Sequence, residues 1–225
     1  MANILVLAPH ADDEILGCGG TMAKHIRQGD NVYVAVMTNA SEGAPELFSP
    51  DFIQALREEC RGAHLQMGVK ETFFEELPAP QLEQYPQYKI ATVISQLIKT
   101  VQPTHLYIPH KGDLHLDHGA IYNAALVAAR PLPGQVVRHI FAYETLSETE
   151  WGHPTPEMAF VPNKFVDISG TYVESKLSAM NFFASQLKDF PNPRSIDGIK
   201  ALSAFRGATI GVDAAEAFMV IRTIE

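Results

Sequence analysis

The chain has 225 residues, 46% of them hydrophobic, and a formal net charge of −9, with two cysteines, Cys18 and Cys60, far apart. This composition is sufficient for the core of a compact domain without a disulfide framework, and it is typical of a reducing compartment. The acidic balance and scattered basic residues exclude typical nucleic-acid and anionic-membrane binders, and the absence of a signal peptide or a membrane-length apolar run predicts a cytoplasmic protein.

The first 37 residues are typical of a βαβ unit. Residues 3–8 form a short apolar run like that of a buried parallel strand. Helical spacing follows from Ile15 to Gln28, and Val32 to Met37 is again β-branched and apolar. Residues 39–50 are polar with two prolines, which indicates a loop long enough to be functional.

The rest of the chain continues to alternate helices and strands. This alternation predicts an α/β fold, a single Rossmann-like domain over residues 1–225 with a mostly parallel sheet flanked by helices. Ligands of such folds bind beyond the C-terminal ends of the strands. The predicted elements are a helix over 52–67, a weak strand at 72–74, a helix over 87–101, a strand at 104–109, a helix over 117–130, strands at 139–142 and 164–168, a helix over 170–187, and a strand over 217–224 at a sheet edge.

Polar residues collect where the first strand turns into the first helix, in the run Pro9-His10-Ala11-Asp12-Asp13-Glu14. A histidine and an aspartate three residues apart across such a turn can converge on one metal ion. The alternative is that Asp12 and Asp13 only cap the helix and favour its positive end. This segment alone does not decide between the two interpretations.

A second cluster follows the strand at 104–109, in the run His110-Lys111-Gly112-Asp113-Leu114-His115-Leu116-Asp117-His118. His115 and His118 stand three residues apart and share one face if that segment is helical. Two His/Asp clusters, each just past a strand, are much harder to explain as surface ion pairs than one. Together they predict a divalent-metal site at the C-terminal edge of the sheet.

The two turns resemble the signatures of the PIG-L/LmbE-like family of zinc-dependent N-deacetylases, a His-Pro-Asp-Asp-Glu turn and a His-Pro-Asp-His turn. Ala11 and Leu116 replace the two prolines and remove no chemical group. The resemblance covers nearly the whole chain. Further matches are Arg57-Glu58-Glu59, Leu65-Gln66-Met67-Gly68-Val69, Tyr143-Glu144-Thr145, Asp167-Ile168-Ser169, Ser185-Gln186, Phe205-Arg206-Gly207, Gly211 and Ala215-Glu216-Ala217-Phe218.

The resemblance implies a metal centre with three protein ligands. His10, Asp13 and His118 are the implied ligands of one zinc ion per chain, although other divalent ions would also suit them. Three protein ligands leave one position open, which is the pattern of a catalytic rather than a structural zinc. The family also often forms trimers or hexamers, so a homo-oligomer is implied.

The resemblance also implies the residues that act on the substrate. Asp12 corresponds to the general base. His115 corresponds to the group that stabilises the tetrahedral oxyanion, with Asp117 orienting it. Arg57 matches a substrate-binding arginine, whose planar fork suits a carboxylate or phosphate.

Other residues have simpler explanations. Gly17-Cys18-Gly19-Gly20 lacks the bend of a dinucleotide site, so close helix–sheet packing is expected, and Cys18 has no base beside it. His110 is a candidate for a supporting position near the metal, and Trp151 for stacking on a sugar or for packing onto the domain. The remaining histidines lack a carboxylate at ligand spacing and are expected at the surface or in hydrogen-bonded core positions: His25, His64, His105, His139 and His153.

These expectations combine into a zinc-dependent hydrolase that removes the N-acetyl group from an N-acetylglucosamine-type sugar or sugar conjugate, releasing acetate and a free amine. The expected partner is a small amino-sugar compound, with no nucleic acid and no membrane. Two alternatives remain open. One is a metal-free nucleotide-binding Rossmann module, and the other is a metal-dependent phosphoesterase in which His110 and Asp113 help to hold a second ion.

Overall fold

The computed structural model describes residues 1–225 and contains fourteen helices and strands. No helix combines the length and the apolar content that crossing a bilayer requires. In chain order the elements are β1 (Asn3–Ala8), α1 (Asp13–Arg27), β2 (Asn31–Asn39), α2 (Ala40–Gly43), α3 (Pro50–Met67), β3 (Glu71–Pro78), α4 (Gln87–Val101), β4 (His105–Pro109), α5 (Leu116–Ala128), β5 (His139–Tyr143), β6 (Lys164–Asp167), α6 (Thr171–Met180), α7 (Ile196–Ile210) and β7 (Ala215–Thr223).

All seven strands belong to one sheet, in the order β3-β2-β1-β4-β5-β7-β6. Strands β1 to β5 are parallel, and β7 is antiparallel to both of its neighbours. Helices α1, α3, α6 and α7 cover one face of the sheet, and α4 and α5 cover the other. The predicted α/β fold with a mostly parallel sheet flanked by helices is therefore confirmed.

Strand β1 shows how the sequence builds a core on both faces of the sheet. Ile4, Val6 and Ala8 belong to one cluster of 22 buried residues, whereas Leu5 and Leu7 belong to a second cluster of 22. The split arises because successive side chains of a strand point to opposite faces. Because helices cover both faces of the sheet, no side chain from Ile4 to Ala8 faces solvent, which explains the continuous apolar run.

The C-terminal third of the chain departs from the sequence-based expectations. The edge position expected for β7 is wrong, because β7 lies between β5 and β6 and its buried first half needs neighbours on both sides. The helix expected over 170–187 ends at Met180. Helix α7 was not expected, because its apolar residues are spread around the helix. Its buried stripe contains one apolar side chain, Ile199, together with Ser203 and Gly207, so no apolar periodicity marks it. Its N-cap Ser195, which accepts the Gly198 N–H, was the available signal.

The two His/Asp turns lie side by side because β1 and β4 are neighbours in the sheet. From β1 the chain continues to β2 on one side, and from β4 it continues to β5 on the other. This reversal of strand order opens a crevice at the C-terminal ends of the two strands, where α/β folds bind their ligands. β1 ends at Ala8 and β4 at Pro109, directly before the two turns.

A buried ion pair ties α1, α6 and β7 together. Lys176 Nζ lies 2.7 Å from Glu216 Oε1 and donates to the Leu16 carbonyl at 2.8 Å. Glu216 also accepts the backbone N–H groups of Gly20 and Thr21, at 2.9 and 2.7 Å. Removing one partner would leave the other charge buried and unpaired.

We expect Lys176→Met to lower the free energy of unfolding by about 3–5 kcal/mol, because Glu216 loses its counter-charge. Urea denaturation followed by circular dichroism measures this change. Lys200→Met, at an exposed position of α7, is the matched control and should stay within about 0.5 kcal/mol of the parent. Equal, small effects of the two substitutions would show that the ion pair does not stabilise the fold.

Candidate active site

The predicted metal ligands His10, Asp13 and His118 converge in the crevice at the ends of β1 and β4. Asp13 Oδ2 lies 3.3 Å from His10 Nδ1 and 3.3 Å from His118 Nε2. One ligand atom from each side chain lies within 4.8 Å of the other two. Tetrahedral ligands of a zinc ion stand about 3.4 Å from one another. The three side chains are therefore spaced as ligands of one such ion.

Buried polar atoms at this point lack hydrogen-bond partners. They include Asp12 Oδ1, Asp13 Oδ1 and His118 Nε2. His118 Nε2 lies close to Asp13 Oδ2 but outside hydrogen-bond geometry. Orphaned buried atoms are rare in folded proteins and call for an explanation. A cation held by Asp13, His10 and His118 supplies a partner for two of them, so the residues fit a divalent metal.

Buried carboxylates surround the two histidines of the crevice and shift their pKa values. Burial by itself lowers the pKa of His118, but Asp13 and Asp113 outweigh it and raise that pKa to about 10. Hydrogen bonds to Asp117 and Asp13 likewise outweigh burial and raise the pKa of His10 to about 9. Burial alone raises a carboxyl pKa, yet the two histidines hold the pKa of Asp13 well below its ordinary value. A site that favours protonated histidines this strongly also favours a cation.

Asp113, considered above as a ligand for a second ion, instead fixes the orientation of His118. Asp113 Oδ2 accepts a hydrogen bond from His118 Nδ1 at 2.7 Å, and Oδ1 accepts one from Thr149 Oγ1 at 2.6 Å. A carboxylate on the far ring nitrogen sets the tautomer that leaves Nε2 available to a metal. The residue was a candidate from the sequence, but its contact with His118 was not expected.

Asp12 occupies the N-cap position of α1 without capping the helix. Its backbone is left-handed, with φ of 113°, and its side chain makes no cap hydrogen bond. The capping alternative therefore does not describe this residue. Oδ2 accepts a hydrogen bond from Arg194 Nη1 at 3.1 Å. Burial raises the pKa of Asp12 to about 8, although Arg194 opposes the shift.

A chain of buried polar groups holds the backbone of Asp12. The Asp12 N–H donates to Glu14 Oε2 at 3.1 Å, and Glu14 Oε1 lies 3.0 Å from His64 Nε2. His64 Nδ1 in turn lies 2.7 Å from Thr72 Oγ1. A non-glycine residue in the left-handed region costs on the order of 1–3 kcal/mol. The chain from Thr72 to Glu14 offsets part of that cost and connects Asp12 to α3 and β3.

His115 and Asp117 lie beside the three ligands, with contacts that differ from the expected pair. His115 Nδ1 accepts the Asp117 backbone N–H at 3.2 Å as the cap of α5, which leaves the ring proton on Nε2. Asp117 Oδ2 is 3.2 Å from His10 Nε2 but 3.8 Å from His115 Nδ1. Asp117 therefore orients His10. Burial and the neighbouring His10 lower the pKa of His115 to about 4, so its ring is a neutral donor.

Arg57 does not line the cavity at this site. Its Nη2 lies 2.9 Å from Glu76 Oε1, and its guanidinium lies 5.2 Å from the centre of the Phe74 ring. The substrate-binding role expected of Arg57 is thus supported by no contact. Arg194, from the loop between α6 and α7, lines the cavity and contacts Asp12. Sequence reasoning missed Arg194 because the segment before α7 has no periodicity that would place it.

His110 and Trp151, the two other residues that the sequence offered for the site, point away from the three ligands. His110 is buried, and its Nε2 donates to the Met158 carbonyl at 2.8 Å rather than to a metal ligand. Trp151 is half exposed and does not line the cavity.

A cavity of about 540 Å³ opens beside the three ligands. Its catalytic end consists of His10, Asp12 and His115. The other lining residues come from the segment 40–56, the 79–80 turn and the loops near 148 and 185–194: Ala40, Leu47, Phe48, Phe52, Ile53, Leu56, Ala79, Pro80, Glu148, Ser185, Gln186 and Arg194, together with Ala11.

Comparisons with known proteins identify a family and a similar deacetylase. The family model described as "PIG-L: GlcNAc-PI de-N-acetylase" matches residues 5–129. The "Uncharacterized deacetylase YaiS" of Escherichia coli (strain K12) is 29% identical over 182 residues, which cover 79% of this chain and 88% of that protein.

Solved structures share the whole fold. The conserved protein TT1542 from Thermus thermophilus has a TM-score of 0.78 at 26% identity, over 100% of this chain and 97% of its own. The N,N'-diacetylchitobiose deacetylase from Pyrococcus horikoshii has a TM-score of 0.76 at 23% identity, over 98% of this chain and 84% of its own. The second likeness shows the fold alone.

We expect Asp113→Asn to weaken zinc binding by about 10- to 100-fold, because the carboxylate on His118 Nδ1 is lost. Competition with a chelating dye measures the affinity without any assay of activity. Asp213→Asn, at an exposed position outside the site, is the control and should bind zinc as the parent does. Equal affinities of the two variants would contradict a supporting role for Asp113.

Proposed function

The chain belongs to the PIG-L family of de-N-acetylases, and from that membership we propose a zinc-dependent hydrolase of N-acetylglucosamine-type sugars or sugar conjugates. The reaction breaks the amide C–N bond with water and releases acetate and a free amine. The observation that carries the proposal is the convergence of His10, Asp13 and His118, with unpartnered buried atoms, beside the uncapped carboxylate of Asp12.

Two histidines and one aspartate would hold the metal. Zinc bound by His10, Asp13 and His118 supplies a Lewis acid for the amide carbonyl and a source of hydroxide near neutral pH. Asp117 and Asp113 orient the two imidazoles through the nitrogens that face away from the ligand position. These hydrogen bonds fix the orientation in which the two imidazoles face a metal ion.

Asp12 and His115 would act directly on the reacting atoms. The charge of a bound metal would favour the ionised form of Asp12, which accepts the proton of the attacking water and then delivers it to the departing amine. His115, neutral and protonated on Nε2, donates a hydrogen bond to the carbonyl oxygen as that atom gains negative charge. Both side chains line the cavity, so both can reach a bound substrate.

An amino-sugar substrate is supported by the relatives. The family is described by an N-acetylglucosamine compound, and the related Pyrococcus horikoshii enzyme is named for N,N'-diacetylchitobiose. The cavity also provides polar groups for sugar hydroxyls, among them Glu148, Ser185 and Gln186. A small-molecule amino sugar is therefore the partner that we propose.

The geometry argues against both alternatives. The nucleotide-binding alternative needs room for a pyrophosphate beside the glycines at the start of α1. A Cβ on Gly17 would overlap the Tyr143 ring, so the helix packs closely here, as expected, and leaves no such room. A second metal ion would need His110 and Asp113. Asp113 is engaged elsewhere, since its two carboxylate oxygens accept hydrogen bonds from His118 and Thr149.

Release of primary amine from a panel of N-acetylated sugars and sugar conjugates tests the proposal. We expect activity that a chelator abolishes and that zinc or cobalt restores, with about one metal ion per chain in elemental analysis, because three ligands define one site. Full activity in preparations without stoichiometric metal would overturn the metal-dependent mechanism.

Substitution of the two adjacent aspartates separates the base from the ligand. We expect Asp12→Asn to keep its metal while kcat falls by roughly 10²–10⁴-fold, the usual contribution of a general base. Asp13→Asn should instead lose metal affinity, since it removes a charged ligand. Metal content and kcat of both variants are measured in parallel, and the opposite pattern would reverse the two assignments.

A further inference from the structure

One wall of the cavity beside the candidate metal site is apolar. Leu47 and Phe48 precede α3, and Phe52, Ile53 and Leu56 lie on its first turns. The rings of Phe48 and Phe52 stand 6.1 Å apart in a tilted arrangement. These side chains offer no hydrogen-bonding group to sugar hydroxyls, so this wall suits an apolar part of the substrate.

Part of this wall is open to solvent. Leu47 is 72% exposed and Phe52 is 38% exposed, although both are large apolar side chains. An apolar surface that faces a cavity and continues to a catalytic centre is typical of a ligand-binding site. The wall shares its cavity with His10, Asp12 and His115, so a molecule on it lies within reach of the reacting groups.

Apart from the proposed metal ion, the cavity offers an anionic aglycone no unpaired cationic side chain. Arg194 is the only lysine or arginine among its lining residues. Its guanidinium lies 3.1 Å from Asp12 Oδ2 and 3.5 Å from Glu148 Oε1. Arg194 is thus already engaged with two carboxyl groups of the chain and is not free to pair with a carboxylate or phosphate of the substrate. Arg57, the anion-binding residue expected from the sequence, is paired with Glu76.

We propose that the segment 47–56 forms a binding site for a neutral, apolar aglycone of the sugar substrate, an alkyl or aryl group attached at the anomeric carbon. This inference rests on the proposed deacetylase function and specifies its substrate class. In this proposal the polar lining residues Glu148, Ser185 and Gln186 bind the sugar, and the apolar wall binds the aglycone.

Four compounds test the proposal on the zinc-loaded, full-length protein. They are the methyl, octyl and carboxymethyl β-glycosides of N-acetylglucosamine, and N-octanoylglucosamine. We expect kcat/KM for the octyl glycoside to exceed that for the methyl glycoside by roughly 10- to 100-fold, which corresponds to burial of two to four methylenes. The carboxymethyl glycoside should be the poorest of the three glycosides.

Two surface substitutions locate the site. Phe52→Ser should reduce the octyl-to-methyl ratio of kcat/KM by about 10-fold, because it removes an apolar contact. Leu65→Ser changes an 83% exposed residue of the same helix that does not line the cavity, and it should leave the ratio unchanged. Both positions are partly or largely exposed, so neither substitution removes a core residue.

The outcomes distinguish this inference from the proposed function. No amine release from any compound would overturn the deacetylase proposal itself. Equal hydrolysis of the octyl and methyl glycosides, or preference for the carboxymethyl glycoside, would overturn only the apolar-aglycone site. Preference for N-octanoylglucosamine over all glycosides would also overturn it, because the apolar wall would then bind the acyl chain.

Discussion

The buried carboxylate of Asp13 is the group on which the rest of the site depends. Its Oδ2 accepts the His10 backbone N–H at 2.8 Å and lies 3.3 Å from a ring nitrogen of both His10 and His118. Asp13 is the first residue of α1, where the aligned peptide dipoles favour a negative charge. The fold brings in the third candidate ligand, because β1 and β4 are adjacent in the sheet and this places His118 opposite the first turn. An uncharged group at this position would leave the two imidazoles without the anionic ligand that completes the set.

The neighbouring carboxylate gains its separate role from the backbone. A right-handed Asp12 would extend the helix, and an extended Asp12 would cap it. The left-handed conformation does neither, and the Asp12 carboxylate instead lies at the cavity and contacts Arg194. Glu14 and His64, both buried, hold the peptide in that conformation from within the core. Because this support lies on α1 and α3 rather than on a loop, the position of Asp12 is fixed before any substrate binds.

The sheet and the cluster of candidate ligands could be predicted from the sequence, because both depend on local patterns. Continuous apolar runs indicated parallel strands, and the two polar turns followed β1 and β4 directly. The errors concern long-range geometry. No local pattern shows that β7 inserts between β5 and β6. Nor does the sequence show that the Asp117 carboxylate contacts His10, while the Asp117 backbone N–H donates to His115 Nδ1. Arg194 lies in an irregular segment whose position depends on how α6 and α7 pack.

The strongly charged ligand cluster and the apolar wall have complementary effects in one cavity. Electrostatic interactions at Asp12 and His115 strengthen when water leaves the cavity, because the local dielectric constant falls. A polar wall would retain water, whereas Leu47 and Phe52 gain free energy when a substrate covers them. Binding energy released at the wall, away from the amide, can therefore be used at the reacting carbonyl. In this arrangement the exposed apolar residues do more than hold the substrate, since their coverage removes solvent from the groups that transfer the proton and stabilise the oxyanion.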